Sequence, residues 1–355
     1  MGWKFYKDIL PFAAMIAVEC ITVGLKTIFK AASLVGMSYY VFMVYSYAIA
    51  TLVLLPLPLI FGRRTDLPLF KLSLLYKFFL LGLIWFLSQL CGYSGIGYSS
   101  PTLASALSNL VPAFTFILAV IFRMEKLSIR RSSTQAKIMG TIISISGALV
   151  VLLYNGPVVF STFSPSPSFQ LESHSRTSET NWVIGGLLLT AEYILLSVWY
   201  IVQSQVMKEY PEELIVVLWC NFWATIISAP VCFIAERNMN AWILKPVIAI
   251  IATVLVGIFG SSFISFVHTW GLHLKGPVYI SSFRPLSIAI AAVMGVIFLG
   301  DALYLGSIVG AMIISIGFYG VIWGKAKEEE MDVDGGLEPS SDAKAPLLAA
   351  AVLQS

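Results

Sequence analysis

The feature that most constrains this chain is a recurrence: stretches of about 20 residues almost free of charge, separated by short polar loops. Ten such segments stand out, near residues 9–29, 37–61, 74–97, 101–123, 136–154, 182–204, 212–235, 246–270, 277–299 and 303–323. Only 12% of the residues are charged and 58% are hydrophobic, against about 25% charged in soluble domains. Segments of this length in lipid must satisfy their own backbone groups, which selects the helix. The expectation is an all-α integral membrane protein with ten transmembrane helices, whose first partner is the lipid bilayer. The first segment follows Lys4 and Lys7 as a secretory leader would. It is too long for one, carries Glu19 and lacks a small-residue cleavage site before more spans arrive, so it reads as a retained helix.

Lysine and arginine accumulate in cytoplasmic loops. With a cytosolic N-terminus, sixteen basic residues fall inside, Arg63, Arg64, Arg130 and Arg131 among them, and five outside: Lys26, Lys30, Arg176, Arg237 and Lys245. Both termini are therefore expected in the cytosol. Shifting the chain by 176 residues lays PTLASALSNLVPAFTFILAVIFRMEKL, from Pro101, over PVYISSFRPLSIAIAAVMGVIFLGDAL, from Pro277, and pairs Ser105 with Ser281. At a shift of 174, Thr51 meets Thr225 and Pro56 meets Pro230; at 173, Glu19 meets Glu192. Order and near-constant offset argue for two repeats of five spans, residues 9–155 and 182–324. An odd span count inverts the second copy, a plan that in carriers places substrate near the midplane. A Ser-rich linker, 156–181, joins the halves, and residues 325–355 read as a disordered cytosolic tail.

Charge within such spans costs about 2.5–3.5 kcal/mol at the helix centre, so it needs a partner, water or a task. Glu19 lies about 15 Å into its span, near mid-membrane, with Thr22 and Lys26 on the same face. Its counterpart Glu192 has the same depth in the other half. Each carboxylate either faces a central cavity or pairs with a neighbouring helix. Polar stripes at helical spacing add Trp85, Gln89 and Tyr93 in the third span, Thr102, Ser105 and Asn109 in the fourth, and Ser261, Ser265 and His268 in the eighth. Such stripes also serve as interhelical glue. The sharpest feature is SSFRPLSIA, in which Pro285 cannot donate to the carbonyl of Ser281 and Arg284 stands beside that break. Arginine grips carboxylates bidentately, so Arg284 either receives a substrate carboxylate or neutralises Glu19 or Glu192. Pro112 frees the carbonyl of Ser108 at the equivalent depth. The candidate substrate-binding set is Glu19, Gln89, Ser105, Asn109, Glu192, His268, Ser281 and Arg284.

Gly306 and Gly310 form a GxxxG pair, and Ala136 and Gly140 a similar one; these serve close helix packing and leave a homo-oligomer open. The four cysteines lie inside apolar spans without metal-ligand spacing, so neither a metal nor another cofactor is expected. No phosphate-binding loop, HExxH or nucleophile constellation is present, which argues against a pump or an enzyme. The basic residues are scattered among loops rather than gathered into a stripe, which argues against nucleic acid.

At SSPTLASALSNLVPAFTFILAVIFRMEKL, AKIMGTIISISGALVVLLYNGP and KGPVYISSFRPLSIAIAAVMGVIFLGDALYLGSIVGAMIISIGFYGVIWGKAKE, the chain closely resembles the plant "walls are thin"-related, nodulin-like EamA transporters of the drug/metabolite transporter superfamily, some called UMAMIT proteins. The likeness covers about residues 5–327. It implies two inverted five-helix EamA repeats around a central cavity, and facilitated movement of amino acids as small-molecule solutes, with auxin-related transport in some members. Of the site residues it carries over only Asn109 and Arg284. It implies the plasma membrane ahead of the vacuolar membrane; DAKAPLL resembles an acidic dileucine signal, with Asp342 five residues before Leu347 where the pattern has four. Rival readings are transport of auxin or another organic anion, and a non-transporting receptor or scaffold.

Overall fold

The computed structural model describes residues 9–61, 72–98, 107–124, 131–154, 157–160, 179–245, 247–287, 289–290 and 303–335. Apart from one short strand pairing, a five-residue helix at Leu57–Phe61 and a 3-10 turn at Met239–Trp242, the regular structure among these is α1 (Leu10–Leu34), α2 (Tyr39–Leu54), α3 (Leu72–Tyr98), α4 (Val111–Ile121), α5 (Ser132–Leu153), α6 (Glu179–Glu209), α7 (Glu213–Ala235), α8 (Val247–Lys275), α9 (Pro277–Ser282) and α10 (Leu305–Gly335). Among the described residues, six helices are long and apolar enough to cross a membrane, namely α1, α3, α6, α7, α8 and α10; α2 and α4 are shorter apolar helices. Apart from that strand pairing, the described residues thus form a helical fold with helices of membrane-crossing length. Parts of the fourth and ninth expected spans, 101–106 and 291–299, lie outside the described residues.

Prolines sit where a helix can take them. Pro11, Pro112 and Pro277 occupy the first turns of α1, α4 and α9, where the missing N–H has no intrahelical partner in any case. Gly276, at φ +82° and ψ 175°, takes a positive-φ conformation open to glycine where α8 ends, its N–H reaching the carbonyl of Leu272 at 3.1 Å. The chain then turns directly into α9. Within α8, residues Val256–Ile264 form a π-helical stretch.

Packing follows a regular scheme. The helix α5 lies along α10, α3 along α6, α2 against α7, α4 against α9 and α1 against α8. Glycine sets the closest approaches. A Cβ on Gly140 would lie 2.5 Å from the carbonyl oxygen of Gly317, and one on Gly317 2.6 Å from that of Gly140. This places the α5–α10 contact at Gly140 and Gly317. A Cβ on Gly82 of α3 would meet Trp223 Cβ of α7 at 2.6 Å, and one on Gly257 of α8 would meet Ile49 Cβ of α2 at 2.9 Å. Thr51 Oγ1 and Thr225 Oγ1, the pair aligned at a shift of 174, are hydrogen bonded at 3.2 Å.

The ends of the bundle differ. At one, Lys77 pairs with Glu209 at 2.5 Å, His273 with Glu213 at 2.7 Å, and Glu328 with both Lys137 at 3.0 Å and Lys325 at 3.1 Å. At the other, Ser38 donates to Glu236 at 2.7 Å and Tyr45 to the carbonyl of Trp242 at 2.9 Å. Two features depart from the sequence reading. Within the span assigned to the linker, β1 (Val158–Phe160) pairs antiparallel with β2 (Leu303–Tyr304). The helix α10 runs on to Gly335, so residues 325–335 are helical where the sequence expects the tail without structure. The bridges of Glu328 to Lys137 and Lys325 supply the missing anchor.

Candidate functional site

Glu19 stands in α1 with no exposed surface, and neither carboxylate oxygen accepts a hydrogen bond among the described residues. Buried polar atoms are nearly always satisfied, so an orphaned carboxylate in a native fold requires an explanation. Glu192, on α6, is half-buried. Its carboxylate lies over Gly92 of α3, where a Cβ would fall 2.5 Å from Cδ and 2.6 and 2.7 Å from the two oxygens. The glycine makes room for the acid. One helical turn earlier on α3, Ser88 donates to the carbonyl oxygen of Glu192 at 3.1 Å, which locks α3 to α6 at this level.

Arg284 follows α9 in a tight turn. The carbonyl of Ser281, which Pro285 cannot reach, accepts instead from the amide of Arg284 at 3.1 Å. The half-buried guanidinium crosses to α6, where Nε at 3.2 Å and Nη2 at 2.8 Å both donate to Tyr200 Oη. Among the described residues no ion pair joins Arg284 to Glu19 or to Glu192. Arg284 and Lys26 are nonetheless close enough to act electrostatically on both carboxylates. Tyr200 occupies the Nε–Nη2 edge. Of the five guanidinium N–H donors, about three, including the end-on fork, remain for an anion.

His268 of α8 is buried, its ring 5.8 Å from that of Tyr200 in an edge-on arrangement, and Nε2 has no hydrogen-bond partner among the described residues. Trp85 of α3 and Trp199 of α6 have ring centroids 5.0 Å apart, and Trp199 is 5.7 Å from Tyr200. An aromatic ribbon thus runs from α3 across α6 to α8 behind the arginine. Gln89, one turn along α3 from Trp85, is half-buried. Asn109 is fully buried at the turn that precedes α4. The hydroxyl of Ser281 donates within α9 to the carbonyl of Val278 at 3.0 Å, so it is spent on the backbone. Ser105 lies outside the described residues.

The structure thus brings Glu19, Glu192, Arg284 and His268 into one electrostatic neighbourhood. Sequence reasoning missed Tyr200 as a member. It also left out Gln203, which is buried one turn further on and donates to Thr269 of α8 at 2.8 Å while its Oε1 has no partner among the described residues. A signal existed: Glu192, Trp199 and Gln203 recur at helical spacing along one face of α6, with Tyr200 adjacent. No cluster of three or more metal-ligating side chains occurs among the described residues.

Residues 11–153 match the EamA-like transporter family. The chain is 59% identical over 344 residues to WAT1-related protein At5g40240 of Arabidopsis thaliana, covering 96% of this chain and 94% of that one. It is 55% identical to WAT1-related protein At4g15540 of the same plant, covering 93% and 92%, and 49% identical to WAT1-related protein At3g28050, covering 97% and 96%. A crystal structure at 16% identity superposes with a TM-score of 0.64, covering 91% of this chain and 99% of that one; at that identity the likeness speaks for the fold alone.

Proposed function

We propose that this chain, which belongs to the WAT1-related proteins of the EamA-like transporter family, carries amino acids or related small organic solutes by alternating access. Membership makes it an integral membrane transporter and not an enzyme. The finer reading is a ten-helix bundle of two inverted five-helix repeats around a central cavity, in a plant plasma membrane in preference to the vacuolar one, with both termini cytosolic. What supports the inversion is the contact scheme. If α1 to α5 correspond to α6 to α10, then α2–α7, α4–α9 and α5–α10 are contacts of an element with its own mate, and α3–α6 is the mate of α8–α1. A two-fold axis in the membrane plane produces that pattern. Thr51 touching Thr225, and Gly82–Trp223 repeating as Gly257–Ile49, fit the same axis.

The observation that carries the substrate reading is Arg284 held by Tyr200 with its outer fork uncommitted, close to a fully buried Glu19 whose oxygens are unpartnered. The pair is a cation and an anion in one cluster without direct contact. A zwitterion satisfies both: its carboxylate takes the guanidinium, and its ammonium takes Glu19 or Glu192. Gln89, Asn109 and His268 then shape the fit, with Ser105 and Ser281 bordering the helix breaks. A second reading rests on the aromatic ribbon of Trp85, Trp199, Tyr200 and His268. Auxin or another aromatic organic anion needs Arg284 and that wall but no carboxylate.

The test is flux in proteoliposomes with labelled glutamine and with an indole acid, comparing wild type, Glu19→Gln and Arg284→Gln. Zwitterion transport predicts that both variants lose glutamine flux. Organic-anion transport predicts that only Arg284→Gln loses indole-acid flux. No flux of either solute in the wild type favours a receptor or scaffold, and normal flux in both variants rejects this site.

A further inference from the structure

Two helical turns beyond Glu19 on α1 stands Lys26, a cation that the solute cluster as described does not use. Glu19, Thr22, Lys26 and Phe29 recur at helical spacing and form one stripe along α1. Both ends of the stripe look into the bundle. Glu19 has no exposed surface, and the ring of Phe29 lies 4.6 Å from that of Tyr93 on α3 and 4.8 Å from that of Phe42 on α2, centroid to centroid. Lys26, between them, is nonetheless exposed. Its charge acts on Glu19, Glu192 and Arg284 together, so the side chain belongs to the interior and not to the lipid-facing surface. Among the described residues it makes neither an ion pair nor a hydrogen bond. Charged groups within membrane helices pair with one another or face a water-filled path; an inward-facing, exposed and unpaired lysine marks such a path, and it opens onto the solute cluster.

We infer that Lys26 is the first receiver of the solute's carboxylate on the extracytosolic approach, about 10 Å outward of Glu19 at helical rise, and passes it on to Arg284. The inference rests on the solute reading above in one respect, that the solute carries a carboxylate, which amino acids and organic anions share. The two cations suit different tasks. Arg284 is held by Tyr200 with its fork oriented, which favours a fixed, bidentate grip. Lys26 is a point charge on a flexible stem with three rotatable donors and no neighbour to hold it, which favours capture from many directions and quick release. A cation lining a cleft also raises the local concentration of anions. Glu19 and Glu192 keep this first contact weak, because they repel a carboxylate held at Lys26 until the ammonium of a zwitterion reaches one of them.

The experiment sets opposite charges at position 26. Lys26→Cys is made in a Cys20→Ser, Cys91→Ser parent, which leaves only the buried Cys220 and Cys232, and is reconstituted in proteoliposomes. Aminoethyl methanethiosulfonate then adds an ammonium there and sulfonatoethyl methanethiosulfonate a sulfonate, with protein mass reporting the extent of modification. Counterflow is measured with glutamine and with an indole acid. For the solute that is carried, Lys26→Cys is expected to raise KM about fivefold with little change in maximal rate, the size of a solvent-exposed charge contact. The ammonium adduct returns KM to near the parent value, the sulfonate adduct raises it further, and Lys26→Arg resembles the wild type. The two adducts are of similar bulk, so a role in packing predicts equal effects from both. The inference is overturned if neither reagent modifies position 26, if Lys26→Cys keeps the KM of the parent, or if the two adducts behave alike while the parent carries solute; in these cases the solute reading stands. A parent that carries neither solute overturns that reading and the docking role with it, and modification at position 26 then still reports whether the path is open to water.

Discussion

Replacing Tyr200 with phenylalanine removes one oxygen atom and little else. The ring keeps its neighbours Trp199 at 5.7 Å and His268 at 5.8 Å, so the variant is expected to fold and melt close to the wild type. What disappears is the acceptor for Nε at 3.2 Å and Nη2 at 2.8 Å of Arg284. A hydrogen bond to a charged group contributes about 1.5–3 kcal/mol, and two guanidinium donors share this oxygen. Part of that is regained as the released side chain turns toward Glu19 or water, so the lower figure is the better expectation for substrate affinity. About 1.5 kcal/mol is a little more than tenfold in a binding constant. If Tyr200 holds the guanidinium in place for a carboxylate, Tyr200→Phe raises the KM for glutamine in proteoliposome counterflow about tenfold, with a smaller change in maximal rate. A folded Tyr200→Phe protein whose KM stays within twofold of the wild type would refute the assignment of Arg284 as the carboxylate receptor in this geometry.

Gly92→Ala places a methyl group 2.5–2.7 Å from the carboxylate of Glu192; it should displace that side chain, lower flux severely and cost about 1–3 kcal/mol of stability from overpacking, read from Tm and transport on the same preparation. Gly317→Leu drives a side chain into the backbone of α5 at Gly140 and should destabilise the α5–α10 contact more than any single substitution at the solute cluster, checked by yield of folded protein and by melting. Lys77→Gln and Glu209→Gln break a bridge whose side chains are 34% and 55% exposed, so each should change stability by less than about 1 kcal/mol; a larger loss in thermal unfolding would show that this bridge does more than solvate the end of the bundle.

The membrane character of the chain and the charged residues within its helices could be read from the sequence because each leaves a one-dimensional mark. Glu19, Glu192 and Arg284 stand out for their cost in lipid, and the shift of about 174 that aligns Thr51 with Thr225 survives as the hydrogen bond between them. Partnership leaves no such mark. Tyr200 is one aromatic residue among many in α6, and in a membrane helix both lipid-facing and protein-facing positions are apolar, so periodicity does not separate them. Of the two small-residue pairs suggested for close packing, Gly306 with Gly310 and Ala136 with Gly140, the second holds a residue of the α5–α10 approach, Gly140, whose partner Gly317 no spacing marked. The helical continuation of α10 was hidden for another reason. Residues 328–330 are three glutamates in a row, which reads as solvated tail until Lys137, far away in sequence, is seen to take Glu328.

On the proposed inverted plan, scaffold and chemistry have different symmetry. Close approaches recur in both halves, Gly82 against Trp223 and Gly257 against Ile49, so exchanging the conformations of the two halves costs little in packing. The charged groups do not recur in this way. Arg284 aligns with Ser108 and Lys26 with Trp199, while the carboxylates Glu19 and Glu192 align with each other. A bundle with two near-equivalent states thus holds one guanidinium against two carboxylates. In one state Arg284 belongs with Tyr200. In the exchanged state the two carboxylates trade environments, while the arginine has no mate to trade with. On that plan a solute carboxylate bound to Arg284 would meet a different acid on each side of the membrane, and that asymmetry, rather than any difference between the repeats in packing, would make entry and release unequal.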